Sequence, residues 1–214
     1  MNQQDKRITG FSLILGSFFL IVTMTLHPAG GNFEHLIRIM RVNVTAHTVA
    51  IFSIPITLFG FWGFQQSFTK AKSLSTLAFF IILIGHLSGL IAAALNGLVL
   101  PLFINQYRDA TPETIASLKP ILKYNGALNH AFDYIFISFI CIPIFMWSMA
   151  ILKTKTYTQW LAYFGILLNV LILVGLVTDF NFVNLGGFRI FIFSLVGWIM
   201  AAGYLMIKAR EAQV

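Results

Sequence analysis

Six stretches of this sequence are each long and apolar enough to cross a bilayer, at about 8–26, 44–64, 74–101, 127–152, 160–177 and 188–207. A helix needs about 20 mainly apolar residues to span the hydrocarbon, where every backbone N–H and C=O must be satisfied internally. Charged side chains within the stretches are confined to Asp133 and Arg189. Only 10% of the residues are charged and 58% are hydrophobic, whereas a soluble chain is about a quarter charged. So little polar side chain cannot cover a water-facing globule, and so apolar a chain is not disordered. The expected fold is all-α: a polytopic membrane bundle of six transmembrane helices forming one domain over residues 1–214. The first stretch follows Lys6 and Arg7 as a secretory signal would. Its apolar part is too long for that and no A-x-A site follows, so an uncleaved span is expected.

The net charge of +7 suggests an acidic partner. Nucleic acid is excluded as that partner, because the basic residues stand at the ends of the apolar stretches and form no single patch. Lys6 and Arg7, Lys70 and Lys72, Lys153 and Lys155, and Lys208 and Arg210 fall on one side, with only Asp5 and Glu211 as acids. On the other side Arg38, Arg41, Arg108, Lys119, Lys123 and Arg189 are diluted by Glu34, Asp109, Glu113 and Asp179. The positive-inside rule then makes both termini cytoplasmic, with the lipid bilayer as the expected partner. Short loops and no targeting presequence fit a bacterial inner (cytoplasmic) membrane. Nothing in the sequence sets the oligomeric state.

Three longer loops, about 28–43, 103–126 and 178–187, follow on the outer side. Thr111-Pro112-Glu113 predicts a short surface helix ending before Pro120, with Pro at the first helical position. Phe33, Leu36, Ile37 and Met40 opposed to Glu34, Arg38 and Arg41 predict an interfacial helix in the first loop. The third span is long enough to need tilt or an irregular end near Asn96, Gly97 and Pro101. Gly85, Gly89, Ala93 and Gly97 recur every fourth residue, a pattern for close helix approach that suggests a central third helix. Cys141, the only cysteine, excludes a disulfide framework and any CxxC site.

Polar groups inside hydrocarbon cost on the order of 2.5–3.5 kcal/mol each on insertion scales, so their placement is informative. They gather in the outer half. His27 ends the first span, His47 lies one turn into the second and His130 one turn into the fourth, while His86 is deeper in the third. Asn43, His47, Ala50, Ile54 and Thr57 share a helical face, as do His86, Gly89, Ala93 and Asn96, and His130 with Asp133. If the first, second and fourth spans are neighbours, His27, His47, His130 and Asp133 offer ligand types suited to zinc, copper or iron. Asn43 and Asn129 would then hold the rings from behind. His47 and His130 as axial ligands of a b-type haem are the alternative cofactor reading. Asp179 and Arg189, at facing span ends, are expected to form an outer ion pair.

Three functions follow. The first is a metal- or haem-binding membrane protein, a binder or an enzyme, acting on a small-molecule or lipid ligand from the lipid phase or periplasm. The second is a small secondary transporter or proton-linked carrier with a midplane path through His86, Asn96 and Asn169, its helices broken at Pro55 and Pro143. The third is a noncatalytic accessory or pH-sensing subunit. No HExxH, GxSxG, P-loop or GxGxxG is present, and no glutamate lies within a span, so intramembrane proteolysis and nucleotide chemistry are not expected.

Overall fold

The computed structural model describes residues 1–209, so Arg210 and Glu211 of the carboxyl tail lie outside the described residues. The described residues are helical with no strand. Six helical units are long and apolar enough to cross a membrane: Gln3–Leu26, Phe33–Gln66, Thr69–Asn105, Pro112–Thr154, Gln159–Val177 and Leu185–Lys208. We label the helices α1 (Gln3–Leu26), α2 (Phe33–Gln66), α3 (Lys72–Ala94), α4 (Leu100–Asn105), α5 (Pro112–Ser117), α6 (Lys119–Thr154), α7 (Gln159–Val177) and α8 (Leu185–Lys208). The start of α1 lies against the end of α8, Gly10 against Gly203, on one face of the bundle, called here the terminal face. Phe18, Phe52, Phe80 and Leu171 are exposed on the outer wall, where only lipid makes such an apolar surface favourable.

The predicted outer-loop helices are present with different limits. Thr111 caps α5 through its hydroxyl, as its sequence predicts. The interfacial helix of the first loop is not separate: Asn32 caps residue 35, and α2 then runs unbroken for 34 residues. Helix α6 likewise starts at Lys119, ahead of the apolar stretch, because Pro120 suits a first turn. Pro55 and Pro143 do not break α2 or α6, which continue through both.

The helices close a ring. α1 packs on α2 and α8, α2 on α3, α3 on α6, α6 on α7, and α7 on α8. Helix α3 is therefore a wall member and not a central helix; one of its faces, with Leu77, Phe80, Ile84 and Leu87, is exposed. The small residues of the third span serve both neighbours, Gly85 and Gly89 of α3 against Phe139 and Phe136 of α6, and Gly97, just beyond α3, against His47 of α2. Near the terminal face the ring is filled by a slab of fully buried aromatics, Phe61, Phe64, Trp147 and Trp198. Trp147 stacks on Phe61 at 5.3 Å and on Trp198 at 6.5 Å. Both indoles find acceptors, Trp147 donating to Ser75 Oγ at 2.8 Å and Trp198 to the Leu161 carbonyl at 3.0 Å.

The irregular end expected on the third span is a π-helical turn, Leu95–Val99, between α3 and α4. Leu100 donates its N–H to the Leu95 carbonyl, five residues back. The next carbonyl, of Asn96, would by the same spacing pair with residue 101, which is proline and has no N–H. Asn43 of α2 supplies the missing donor, its Nδ2 lying 2.7 Å from that oxygen. Asn43→Ala should therefore cost about 1–3 kcal/mol, the penalty of a buried unpaired acceptor. In a Pro101→Ala background the restored N–H should bring the cost below about 1 kcal/mol. A double-mutant cycle of unfolding free energies in detergent checks this; equal costs in both backgrounds would refute the account.

Candidate functional site

Above the aromatic slab the ring encloses a cavity of about 360 Å³ that opens away from the terminal face. Six helices line it, α1, α2, α3, α6, α8 and the first residue of α4, together with the π turn, while α7 contributes nothing. On the third span the lining runs from His86 to Leu100, about 21 Å at 1.5 Å per residue. The pocket is thus deep and narrow. Its lower wall sets Leu20, Ile54, Leu195 and Ile199 beside the hydroxyls of Ser53 and Thr57, and the amide and carboxyl groups stand above. The floor is set by His86, whose ring meets Phe61 edge-on at 5.8 Å.

The cavity gathers most of the residues singled out in the sequence. His27, His47, His86, His130 and Asp133 line it, as do Asn43, Asn96 and Asn129. The three predicted helical faces all point inward. His47 and His86 are each only 5% exposed, whereas His130 is exposed at the rim. His27 and His47 lie side by side, ring centroids 4.8 Å apart.

Hydrogen bonds fix the rings. His27 donates Nδ1–H to the Pro28 carbonyl at 3.0 Å, His47 to Asn43 at 2.8 Å and His86 to Ile82 at 2.9 Å. In the uncharged ring this leaves Nε2 as a lone-pair acceptor. None of these three Nε2 atoms has a protein partner among the described residues, and none is sealed from solvent. Asp133 accepts from Asn129 Nδ2 at 2.7 Å, while Asn129 Oδ1 is buried without a partner.

Four expectations change. His27, His47, His130 and Asp133 share a cavity, but among the described residues no three His, Cys, Asp or Glu side chains form a group able to hold a metal ion. The physical reason is the ring order: α6 stands beside α3 and α7 and meets α2 through Trp147 in the slab, whereas the adjacent imidazoles belong to the α1–α2 pair on another wall. His47 and His130 are not a matched haem pair, one being buried and the other exposed. Asn169 does not extend a polar path from His86 and Asn96; it lies on α7 and donates to the Gly165 carbonyl of its own helix at 2.9 Å. Arg189 does not pair with Asp179. Its guanidinium donates to the carbonyls of Met24 at 3.2 Å and His27 at 2.9 Å, satisfying the end of α1 where Pro28 stops the helix. Asp179 is exposed at a positive φ of 56°.

Other participants were not visible in the sequence as site residues. Thr23 and Ser53 line the wall, and Asn125 donates to Asn96 Oδ1 at 3.3 Å, steadying the π turn. The proline five residues after Asn96 was the available signal for that turn. The fold and cavity together define a six-span helical bundle of the integral membrane class with a ligand-sized interior pocket. Compared with known proteins, the chain matches no family model, no curated protein and no solved structure.

His27 lies just beyond α1, and burial, helped by the neighbouring His47, pushes its pKa from the usual 6.5 down to about 4. The unfolded chain therefore binds this proton first, and the folded state loses stability as pH falls from about 6.5 toward 4. Replacement His27→Gln should make thermal stability fall less steeply between pH 7 and pH 5, as read from melting curves in detergent.

Proposed function

We propose that this protein binds one small amphipathic molecule in the cavity of the ring, taken from the outer leaflet or the periplasmic side of a bacterial inner membrane. The termini then lie in the cytoplasm, consistent with the basic pairs at the terminal face. The observation that carries the reading is the cavity's mixed lining: imidazole, amide and carboxyl groups toward the mouth, and below them aliphatic side chains beside the hydroxyls of Ser53 and Thr57, with His86 at the floor above the aromatic slab. A molecule with an apolar body and one polar group matches that order. The slab also ranks binding above through-transport, because a carrier needs a route past Phe61, Trp147 and Trp198. These are fully buried and stacked.

A metal-assisted version of the same site is favoured by one observation. His27 and His47 are adjacent, and each ring is anchored through Nδ1 to a carbonyl, the arrangement that orients Nε2 for ligation. Two imidazoles leave further ligands to come from the bound molecule or water. Near-stoichiometric metal in the purified protein, lost in His47→Ala, is the result this version requires.

Binding is tested with decanol as a neutral probe. It should raise the melting temperature saturably, since a ligand bound only to the folded state stabilises by RT ln(1 + [L]/Kd). Ala50→Phe, which places a ring in the cavity, should abolish the effect while the variant remains folded. A linear, unsaturable response in both proteins would overturn the reading.

A further inference from the structure

The cavity wall has a chemical bias beyond its polarity. Thr23, Ser53 and Thr57 donate their hydroxyl hydrogens to the carbonyls of Phe19, Ala50 and Ser53, at 2.9, 2.7 and 2.8 Å. The imidazoles of His27, His47 and His86 do the same through Nδ1. The imidazoles therefore keep an Nε2 lone pair, and no proton, for the cavity, and the hydroxyls have no hydrogen left to offer it. Asn43 commits Nδ2 to the Asn96 carbonyl, keeping Oδ1 free, and Asp133 adds a carboxyl group with one amide partner. Donors on the wall stand toward the mouth: Asn96 Nδ2, Asn184 Nδ2, the second amide hydrogens of Asn43 and Asn129, His130 at the rim, and the backbone of Ala29 and Gly30. On the inner wall formed by Thr23, His47, Ser53, Thr57 and His86, the side chains offer none.

A wall of acceptors in a low-dielectric interior is matched by a ligand that brings the hydrogens. Along the inner wall an anion would find no side-chain hydrogen, and it would face the carboxyl of Asp133; a quaternary cation would satisfy the charge of Asp133 but none of the imidazole nitrogens. Building on the amphiphile reading above, we propose that the cavity selects an amphipathic primary ammonium: an alkyl chain bearing –NH₃⁺, whose charge is met by the Asp133 carboxylate and whose N–H bonds find lone pairs on the wall, such as Nε2 of the adjacent His27 and His47. Such charge-assisted hydrogen bonds are the strong kind, and the ammonium holds Asp133 ionised. The alkyl chain lies along Ile54, Leu195 and Ile199 toward the slab.

Four probes with one tail separate the terms: decylammonium, decyltrimethylammonium, decanol and decanoate, each titrated into the full-length protein in detergent with melting temperature as readout. Decylammonium should bind about tenfold or more tightly than each of the others. Asp133→Asn should weaken decylammonium by about tenfold and leave decanol unchanged. Nitrogen-15 spectra of histidine-labelled protein should show Nε2 resonances shifting on addition of decylammonium and not of decyltrimethylammonium. Equal or tighter binding of decanoate or decyltrimethylammonium would overturn this inference while leaving the cavity a site for amphiphiles. Absence of saturable binding by all four probes would remove the amphiphile reading itself.

Discussion

In hydrocarbon no water is at hand to accept a proton, so each polar hydrogen of the chain must find an oxygen or nitrogen within the protein. That requirement organises the structure. Threonine and serine on α1, α2 and α6 return their hydrogens to carbonyls three or four residues back on their own helices. Histidines 47 and 86 do likewise. Where a helix cannot supply its own donor, a neighbour does: Asn43 serves the π turn, and Arg189 serves the frayed end of α1. These contacts are also the links between spans, so satisfying the backbone and assembling the bundle are one process.

The same requirement shapes the cavity. Once protons are committed to the backbone, the groups left facing the interior are lone pairs. The acceptor character of the wall therefore arises from helix chemistry, and the ring geometry concentrates it. Six helices in a ring leave a central space that side chains must fill. Near the terminal face, four large aromatics do so, with both indole N–H groups bonded. Toward the other end the residues facing inward are smaller, such as Ala50, Gly89 and Ala93, and the space stays open. A close fit at Gly97 seats His47 against the π turn, where even a methyl group would overlap its Cβ.

This division of the bundle bears on how it works. A slab of rings 0% exposed is a stiff partition, while the chamber beside it is bounded by two irregular stretches of backbone, the π turn and the Pro28 stop. Turns of that kind recur next to binding sites because they re-aim side chains and release carbonyls from the helical ladder. Here the release is directly visible in Asn96, whose oxygen is taken by Asn43 and whose side chain is steadied by Asn125. Ligand entry from the open end would meet the exposed His130 first and the buried His47 and His86 later.

Span number, helix type and the inward faces were legible in the sequence, because hydrophobic length and 3.6-residue periodicity are local properties. Asn43, His47, Ala50, Ile54 and Thr57 line the cavity as a single face, and so do His86, Gly89, Ala93 and Asn96. Even the irregular third span was announced by Pro101. Neighbour relations were not legible, since apolar helices of similar length carry no pairing code in their composition. Placing the first, second and fourth spans side by side suggested a metal set; the ring instead puts α3 beside α6 and leaves His130 and Asp133 on a separate wall. Arg189 shows the same limit: its sequence neighbourhood suggested Asp179, but a helix end brought near by α1–α8 packing offered unpaired carbonyls. The sequence by itself determined which residues are polar, at what depth and on which face. Tertiary structure alone decided which of them meet and which proton goes to which carbonyl, because those depend on the cyclic order of helices.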